Sequence, residues 1–364
     1  MSDAKQGNQE DAFRLRDMDK KFPLHWKSGS LKYTDSKSLA EGGTAKLSTC
    51  LDVNLQRVVV YKTLHDHLRD SDIETARFVR EARVTANIQH PGTVPLYELG
   101  RDRGGNLFFT MKRVEGRDLR DIILALKAGD AKTKEQFPLP RLIDVLIQVA
   151  NCIAYAHQHG VIHRDLKPAN IIVGGFGEAL VLDWGLAKIL GEKEDEENTT
   201  VVDISDLELT PAGRRYGTPL YMSPEIARGD TDIDGRSDVF ALGSILFEIL
   251  THEQLLSGKD VTEVTNCLLN KPLRWPRNVA PELKPPPELE AICIKALRRD
   301  RESRYQSVKE MVGDLQAYRL GEEVSVYEYS GIEKWNRWNH RHALTLTALS
   351  SGIIGAFIHW LLTR

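Results

Sequence analysis

Residues 31–115 have the hydrophobic and polar patterning of a β-rich region. The runs 55–64 and 106–114 are rich in β-branched and aromatic residues, which is typical of strands. Between these runs, apolar side chains recur at helical spacing over residues 71–89. The patterning therefore predicts a small β-rich lobe that contains one amphipathic helix.

Helical patterning dominates residues 116–320, with clear examples at 139–159 and 239–250. These segments predict a larger helical lobe after the small one, so the expected fold class is α+β with two lobes. Residues 1–30 are polar and predict a mobile N-terminal tail. Residues 321–342 are expected to form a juxtamembrane linker.

The C-terminal segment 343–362 consists of 20 residues without Asp, Glu, Lys or Arg. As a helix it would be about 30 Å long, which matches the hydrocarbon thickness of a bilayer. A buried C-terminal helix is the alternative, but the segment is apolar on all faces. We therefore expect one C-terminal transmembrane helix.

Charged residues flank this segment unequally. Lys334, Arg337 and Arg341 precede it, whereas only Arg364 follows it. Because basic residues stay on the cytoplasmic side, this asymmetry predicts a single-pass protein of the inner, cytoplasmic membrane, with the large N-terminal part in the cytoplasm. Small residues spaced four apart within 343–362 would let two such helices pack closely. A homodimer is therefore one alternative to a monomer.

Composition excludes several classes of protein. Hydrophobic residues make up 41% and charged residues 28% of the 364, which fits a globular protein with a sizeable core. The net charge of −3 argues against a general polyphosphate-binding surface, so no nucleic-acid partner is expected. The four cysteines lack the spacing of a zinc site or disulfide framework, which suits a reducing compartment.

Residues able to carry chemistry follow one another in a recognisable order. A lysine stands in a predicted strand, a glutamate in the predicted helix, and the sequence VIHRDLKPAN at 161–170 precedes LDWG and SPE. The residues concerned are Lys62, Glu81, His163, Arg164, Asp165, Lys167, Asn170, Asp183 and Glu225. Their order and spacing resemble the signature of bacterial eukaryotic-like (Hanks-type) serine/threonine protein kinases over about residues 31–320.

The resemblance implies a two-lobed protein kinase fold, with 31–115 as the N-lobe and 116–320 as the C-lobe. It also implies ATP and Mg²⁺ as cofactors, with Mn²⁺ as an alternative metal, and protein Ser/Thr hydroxyls as substrates. The pairs Lys167-Pro168 and Thr218-Pro219 resemble serine/threonine rather than tyrosine kinases.

The resemblance also implies catalytic roles. Phosphoryl transfer depends on positioning and on charge neutralisation more than on covalent help. Asp165 would accept the proton of the substrate hydroxyl, and Lys167 would stabilise the transferring phosphate. Asn170 and Asp183 would be the Mg²⁺ ligands, because hard oxygen ligands suit this ion.

The same resemblance implies a set of nucleotide-binding residues. Lys62 would reach the α- and β-phosphates and be held by an ion pair with Glu81. Residues 39–47 align with the phosphate-covering motif GxGxxGxV but read AxGxxAxL, so we expect looser closure on ATP. The full set is Lys62, Glu81, Ala40, Gly42, Gly43, Leu47, Val60, Met111 and Val114.

Two further departures concern side-chain size. Val60 stands where the family usually has Ala against the adenine ring, which predicts a narrower pocket. Trp184 replaces the usual Phe after the metal-binding aspartate, which is expected to change the balance of active and inactive states.

Regulation is expected in the long segment 183–225. Arg164 would bind a phosphate on this segment, since Arg holds phosphate oxygens bidentately. The candidate acceptors, with Thr210 favoured, are Thr199, Thr200, Ser205 and Thr210. Alternatively, the acidic run at 192–208 already supplies the anion. Thr218 is expected to bond Asp165 or Lys167 and to shape the substrate site.

Three residues are expected to have scaffold roles. Glu225 should pair with Arg304, and Asp238 should bind backbone near His163. The sequence as a whole thus predicts an active, membrane-tethered serine/threonine kinase whose tethering favours autophosphorylation in trans. The alternatives are a catalytically weak kinase-fold scaffold at the membrane, which the degenerate glycine motif favours, and a small-molecule phosphotransferase of the same fold.

Overall fold

The computed structural model describes residues 27–190, 220–258, 260–335 and 337. The chain divides into two compact units. The first comprises Met1–Leu119, Tyr155–Asp165 and Ala169–Thr218, and the second comprises Arg120–Ala154, Leu166–Pro168 and Pro219–Arg364. The predicted transmembrane segment 343–362 lies outside the described residues, as does most of the predicted N-terminal tail.

A five-stranded antiparallel sheet forms the centre of the first unit, in the order β1-β2-β3-β5-β4. Its strands are β1 (Tyr33–Glu41), β2 (Ala45–Asp52), β3 (Arg57–Leu64), β4 (Leu96–Arg101) and β5 (Leu107–Lys112). The strands predicted at 55–64 and 106–114 are therefore confirmed as β3 and β5. All eight residues of β2 pair with β3, which suits the β-branched side chains of β3.

The helix predicted over 71–89 is confirmed as α1 (Asp72–Asn87). Its start is fixed by Ser71, whose hydroxyl accepts a hydrogen bond from the backbone N–H of Glu74, as an N-cap residue does. On its buried side, Phe78 packs against Phe109 of the sheet with 4.9 Å between ring centroids. This contact attaches α1 to β5.

Two smaller sheets complete the first unit. One has three strands in the order β6-β8-β9, and the other pairs β7 with β10. Their bounds are β6 (Gly116–Asp118), β7 (Val161–Ile162), β8 (Ile171–Gly174), β9 (Ala179–Val181) and β10 (Lys188–Ile189). Because β7 to β9 lie on either side of residues 163–170, they hold both ends of that loop.

Helices dominate the described residues between 119 and 319, as predicted. They are α2 (Leu119–Lys127), α3 (Ala131–Gln136), α4 (Leu139–Gln158), α5 (Pro224–Arg228), α6 (Arg236–Thr251), α7 (Val261–Asn270), α8 (Pro276–Val279), α9 (Pro287–Ala296) and α10 (Val308–Arg319). Within the described part of the chain, α4 alone is long and apolar enough to cross a membrane, and half of its apolar stretch is buried within the protein.

The core of the second unit is built around α6. Every residue of this helix from Ser237 to Thr251 is buried. A Cβ atom added at Gly243 would lie 2.8 Å from the Cβ of Ala296 in α9. The absence of a side chain at Gly243 therefore lets α6 and α9 approach closely.

The beginning of the predicted linker contacts α10. Asp314 accepts hydrogen bonds from the backbone N–H of Ser325 at 2.8 Å and from its hydroxyl at 2.9 Å. Val324 is buried, and its N–H donates to the hydroxyl of Tyr329. Residues 324–329 are thus attached to the second unit.

Candidate active site

Strand register brings five of the predicted nucleotide-binding residues to one face of the large sheet. Leu47 in β2 lies opposite both Ala40 in β1 and Lys62 in β3. Val60, two residues before Lys62, lies opposite Met111 in β5. Opposed residues and alternate residues of a strand share a face, so all five do. Val114 follows β5 by two residues.

Lys62 and Glu81 form an ion pair on this face, as the sequence predicts. The Nζ of Lys62 donates to Oε1 of Glu81 at 2.5 Å, and about 14% and 13% of the two side chains is exposed. Burial raises the pKa of Glu81, the charge of Lys62 opposes that rise, and the nearby charge of Asp183 adds to it. The carboxylates of Glu81 and Asp183 thus lie near one another, and their combined negative charge favours a further cation beside Asp183.

Asp165 and Asn170 are joined within the predicted catalytic loop. The side-chain N–H₂ of Asn170 donates to the carbonyl of Asp165 at 2.9 Å and to its Oδ2 at 3.2 Å. Asn170 is itself buried, and its own carbonyl accepts the N–H of Leu182 at 2.8 Å. The amide group therefore fixes the orientation of the Asp165 carboxylate.

His163 supports the same loop from beneath. It is fully buried, its Nε2–H donates to the carbonyl of Leu182 at 3.2 Å, and its Nδ1 accepts the backbone N–H of Asp165 at 3.2 Å. The two bonds require a proton on Nε2 and a lone pair on Nδ1. His163 thereby ties the residue before Asp183 to Asp165.

Asp183 and Arg164 have backbone φ angles of +62° and +66°. Non-glycine residues in this left-handed region are uncommon, and they concentrate at functional sites. The carboxylate oxygen Oδ1 of Asp183 accepts the backbone N–H of Gly185 at 3.3 Å. The conformation at 183 is therefore held by a local turn.

Trp184 is fully buried, and its ring packs on that of His163 with 4.6 Å between centroids. The indole of Trp184, which is larger than the usual Phe ring, thus fits while His163 keeps both of its hydrogen bonds.

The phosphate-covering turn, residues 42–44, connects β1 and β2. Ala40 and Ala45 occupy the places of the missing motif glycines, and both lie in strands. None of residues 40–45 has a positive φ. The strain expected for alanine at positive φ is therefore not incurred in this structure.

One residue at this turn, His65, is not predicted by the sequence motifs. His65 donates from its ring Nε2–H to the carbonyl of Gly42 at 2.8 Å. Its position three residues after Lys62 gave no signal, because the contact depends on how the hairpin folds back.

The remaining predicted residues belong to the second unit or lie outside the described residues. Lys167 is half-buried and belongs to the second unit. Asp238 is fully buried in the first turn of α6. Glu225 and Arg304 form the predicted ion pair, with two bonds of 2.7 Å. Outside the described residues lie the predicted regulatory positions Thr199, Thr200, Ser205, Thr210 and Thr218.

The oxygen ligands that Asp183 and Asn170 offer in the first unit suit a metal ion that also binds phosphate. Among the described residues, no group of three or more His, Cys, Asp and Glu side chains gathers to hold a metal. Asp183 offers a carboxylate, and Asn170 offers an amide oxygen because its N–H₂ is engaged with Asp165. Two hard oxygen ligands of this kind match an ion that takes its other ligands from phosphate and water.

Comparison with known proteins identifies the family of this chain. Residues 33–314 match the family model described as protein kinase domain. The chain belongs to this family. Its relatives include the serine/threonine-protein kinase PknD of Protochlamydia amoebophila, 33% identical over 296 residues, which cover 79% of this chain and 30% of the relative.

Other relatives have the same class of activity in their names. A probable serine/threonine-protein kinase of Streptomyces coelicolor is 32% identical over 80% of this chain and 41% of the relative. The probable serine/threonine-protein kinase PknB of Bifidobacterium longum is 32% identical over 80% of this chain and 40% of the relative. These relatives are thus named as serine/threonine kinases, and the protein kinase family to which the chain belongs uses ATP and a divalent metal ion. The matched part of the chain spans between 30% and 41% of the length of these relatives.

Proposed function

We propose that this chain transfers the γ-phosphate of ATP to Ser and Thr hydroxyls of proteins. The observation that carries the proposal is the Lys62–Glu81 ion pair beside Asp183, in the same compact unit as the bonded pair Asp165 and Asn170. A binding module would have no need of an ammonium, three carboxylates and one amide arranged in this way.

Asp165 is the proposed acceptor of the substrate hydroxyl proton. Its carboxylate is oriented by the Asn170 amide, and its backbone N–H is held by the ring of His163. A base fixed in this way loses little conformational freedom when substrate binds, which supports its role in positioning the attacking oxygen.

The sheet face that carries Lys62 is the proposed nucleotide site. Leu47, Val60 and Met111 give it an apolar surface that suits the adenine ring. Backbone groups near Val114 supply the donor and acceptor that adenine needs. Lys62 holds the α- and β-phosphates, with Ala40, Gly42 and Gly43 in the hairpin that covers them.

Mg²⁺, or Mn²⁺ as an alternative, would be held by Asp183 and Asn170. When bound, the ion would neutralise part of the negative charge of the phosphates. Burial of Glu81 next to Asp183 concentrates negative charge there, which supports cation binding at this point. Lys167 is the proposed partner of the transferring phosphate.

Transfer of labelled phosphate from Mg-ATP by the full chain tests this proposal. We expect label on Ser or Thr of the chain and of a generic basic protein, mapped by mass spectrometry. Asp183→Ala should abolish it, while Glu135→Gln, at an exposed position in α3, should leave it unchanged. Nucleotide binding without any transfer would instead favour the weak-kinase scaffold.

The proposed regulation is autophosphorylation of the segment 183–225, with Thr210 the favoured acceptor and Arg164 the phosphate ligand. It is supported by the placement of Arg164 directly before Asp165 in sequence. Thr210→Ala should lower activity towards a basic protein, and Thr200→Ala should not. Equal activity of Thr210→Ala and wild type after full autophosphorylation would contradict the choice of Thr210.

Membrane tethering through 343–362 is the last part of the proposal, with the kinase domain in the cytoplasm and a homodimer as its consequence. The length and apolar character of the segment support it. The full chain should float with lipid vesicles, and a chain lacking 343–362 should not. If autophosphorylation in detergent does not slow on dilution, transfer in trans is wrong.

A further inference from the structure

His65 bonds to both ends of the phosphate-covering turn. Its backbone N–H donates to the carbonyl of Thr44 at 3.0 Å, which extends the pairing of β2 with β3 by one residue. Its ring Nε2–H donates to the carbonyl of Gly42 at 2.8 Å. Only 8% of His65 is exposed, so little water competes for this bond.

The ring of His65 is itself fixed on several sides. Its Nδ1 lies 3.8 Å from Oε1 of Glu41, and the ring of His67 stacks on it with 5.4 Å between centroids. The carbonyl of His65 accepts the N–H of Leu68 at 3.0 Å. These contacts hold the imidazole in the position from which it bonds to Gly42.

The bond to Gly42 determines the direction of the next amide. A trans peptide is planar, so the N–H of Gly43 points to the side opposite the carbonyl of Gly42. Fixing that carbonyl on His65 consequently fixes the N–H of Gly43 away from His65. Backbone N–H groups of glycine-rich turns are the donors that hold phosphate oxygens.

We propose that His65 is a positioning residue for ATP: it fixes the peptide between Gly42 and Gly43 so that the Gly43 N–H is directed for a phosphate oxygen. This inference rests on the proposed function, because it assigns the phosphate-covering turn to ATP. The histidine supplies by a side-chain bond the rigidity that a turn with two adjacent glycines lacks.

The test compares four variants of the full chain by nucleotide affinity and by steady-state kinetics. His65→Ala removes the Nε2 donor. His65→Gln restores it, because the Gln amide nitrogen is three bonds from Cβ, as Nε2 is. His65→Asn places its amide nitrogen two bonds from Cβ, like Nδ1, and His159→Ala, at an exposed position outside the hairpin, is the control. The probe for affinity is a fluorescent ATP analogue with Mg²⁺.

We expect His65→Ala and His65→Asn to raise the Kd and the KM for ATP about three- to tenfold, the effect of one hydrogen bond. The kcat should change less than twofold, because the lost contact is made equally in the ground and transition states. His65→Gln should restore most of the affinity, and His159→Ala should resemble wild type.

A role in folding alone would reduce the fraction of active protein, and hence the apparent kcat, without changing KM or Kd. That result, or rescue by Asn as complete as by Gln, overturns the inference. If wild type binds nucleotide but transfers no phosphate, the proposed function fails and the Kd values still decide the role of His65. If wild type binds no nucleotide, both fail.

Discussion

Arg304 donates two hydrogen bonds of 2.7 Å to the two carboxylate oxygens of Glu225, and both side chains are almost completely buried. The same guanidinium also donates to the carbonyls of Arg236, Arg298 and Arg299. It therefore joins α5 to the start of α6 and to the segment before α10. A planar fork of five donors is needed for this, and Lys does not provide one.

Arg304→Lys should lower the free energy of unfolding by about 3 kcal/mol, because it leaves a buried carboxylate and three carbonyls poorly satisfied. Urea titration followed by circular dichroism measures the loss. Arg301→Lys is the matched control, since Arg301 pairs with the exposed Asp232 and should leave stability close to that of wild type. Equal losses in the two variants would contradict the role assigned to Arg304.

Stability should fall at acidic pH through Glu225. Burial alone would raise the pKa of Glu225, but the hydrogen bonds and charge of Arg304 outweigh it and lower the pKa below its usual range. The unfolded chain then binds the proton more readily, so the ion-pair contribution is present above about pH 4.3 and is lost as pH falls further.

The variant Glu225→Gln isolates this effect. It should be less stable than wild type at pH 7, and the difference between the two should shrink as pH is lowered from 5 to 3. Urea midpoints at several pH values provide the measurement. A constant difference over that range would mean that Glu225 does not titrate with a lowered pKa.

Lys62→Met should reduce kcat at least about 100-fold, in the range seen when one group that stabilises transition-state charge is removed. Glu81 would then be a buried carboxylate without its ammonium. The matched control is Lys112→Met on β5, where the side chain is exposed. Activity of Lys62→Met within tenfold of wild type would remove Lys62 from the phosphate site.

Two glycines in helices should respond oppositely to alanine. Gly243→Ala places a methyl group 2.8 Å from Ala296, so about 1–3 kcal/mol of stability should be lost to overpacking. Gly313 in α10 has nothing within 4 Å of the added Cβ, and Gly313→Ala should stabilise by about 0.5–1 kcal/mol. Thermal melts of the two variants that shift in the same direction would refute this account of α6 and α9.

The sequence predicted the helices and strands that show a clear periodicity, and two ion pairs. β3, β5, α1, α4 and α6 follow from periodicity. The Lys62–Glu81 and Glu225–Arg304 pairs follow from the kinase resemblance, which implies residues far apart in sequence.

Contacts that depend on exact backbone paths were not predictable. The bond from His65 to Gly42 arises because β1 and β2 fold into a hairpin against the end of β3. The positive φ of Asp183 results from the turn closed by Gly185, a three-dimensional condition that residue type does not specify. Likewise, the alanines of the degenerate motif lie in strands, so the motif alone overstated the conformational cost.

The complete burial of α6 from Ser237 to Thr251 has a consequence for how this chain can vary. A helix at a surface tolerates substitution on its outer face, so its mutational sensitivity rises and falls with a period of 3.6 residues. For α6 no face is outer. A saturation scan across it should therefore show sensitivity to substitution at all 15 positions, without that period.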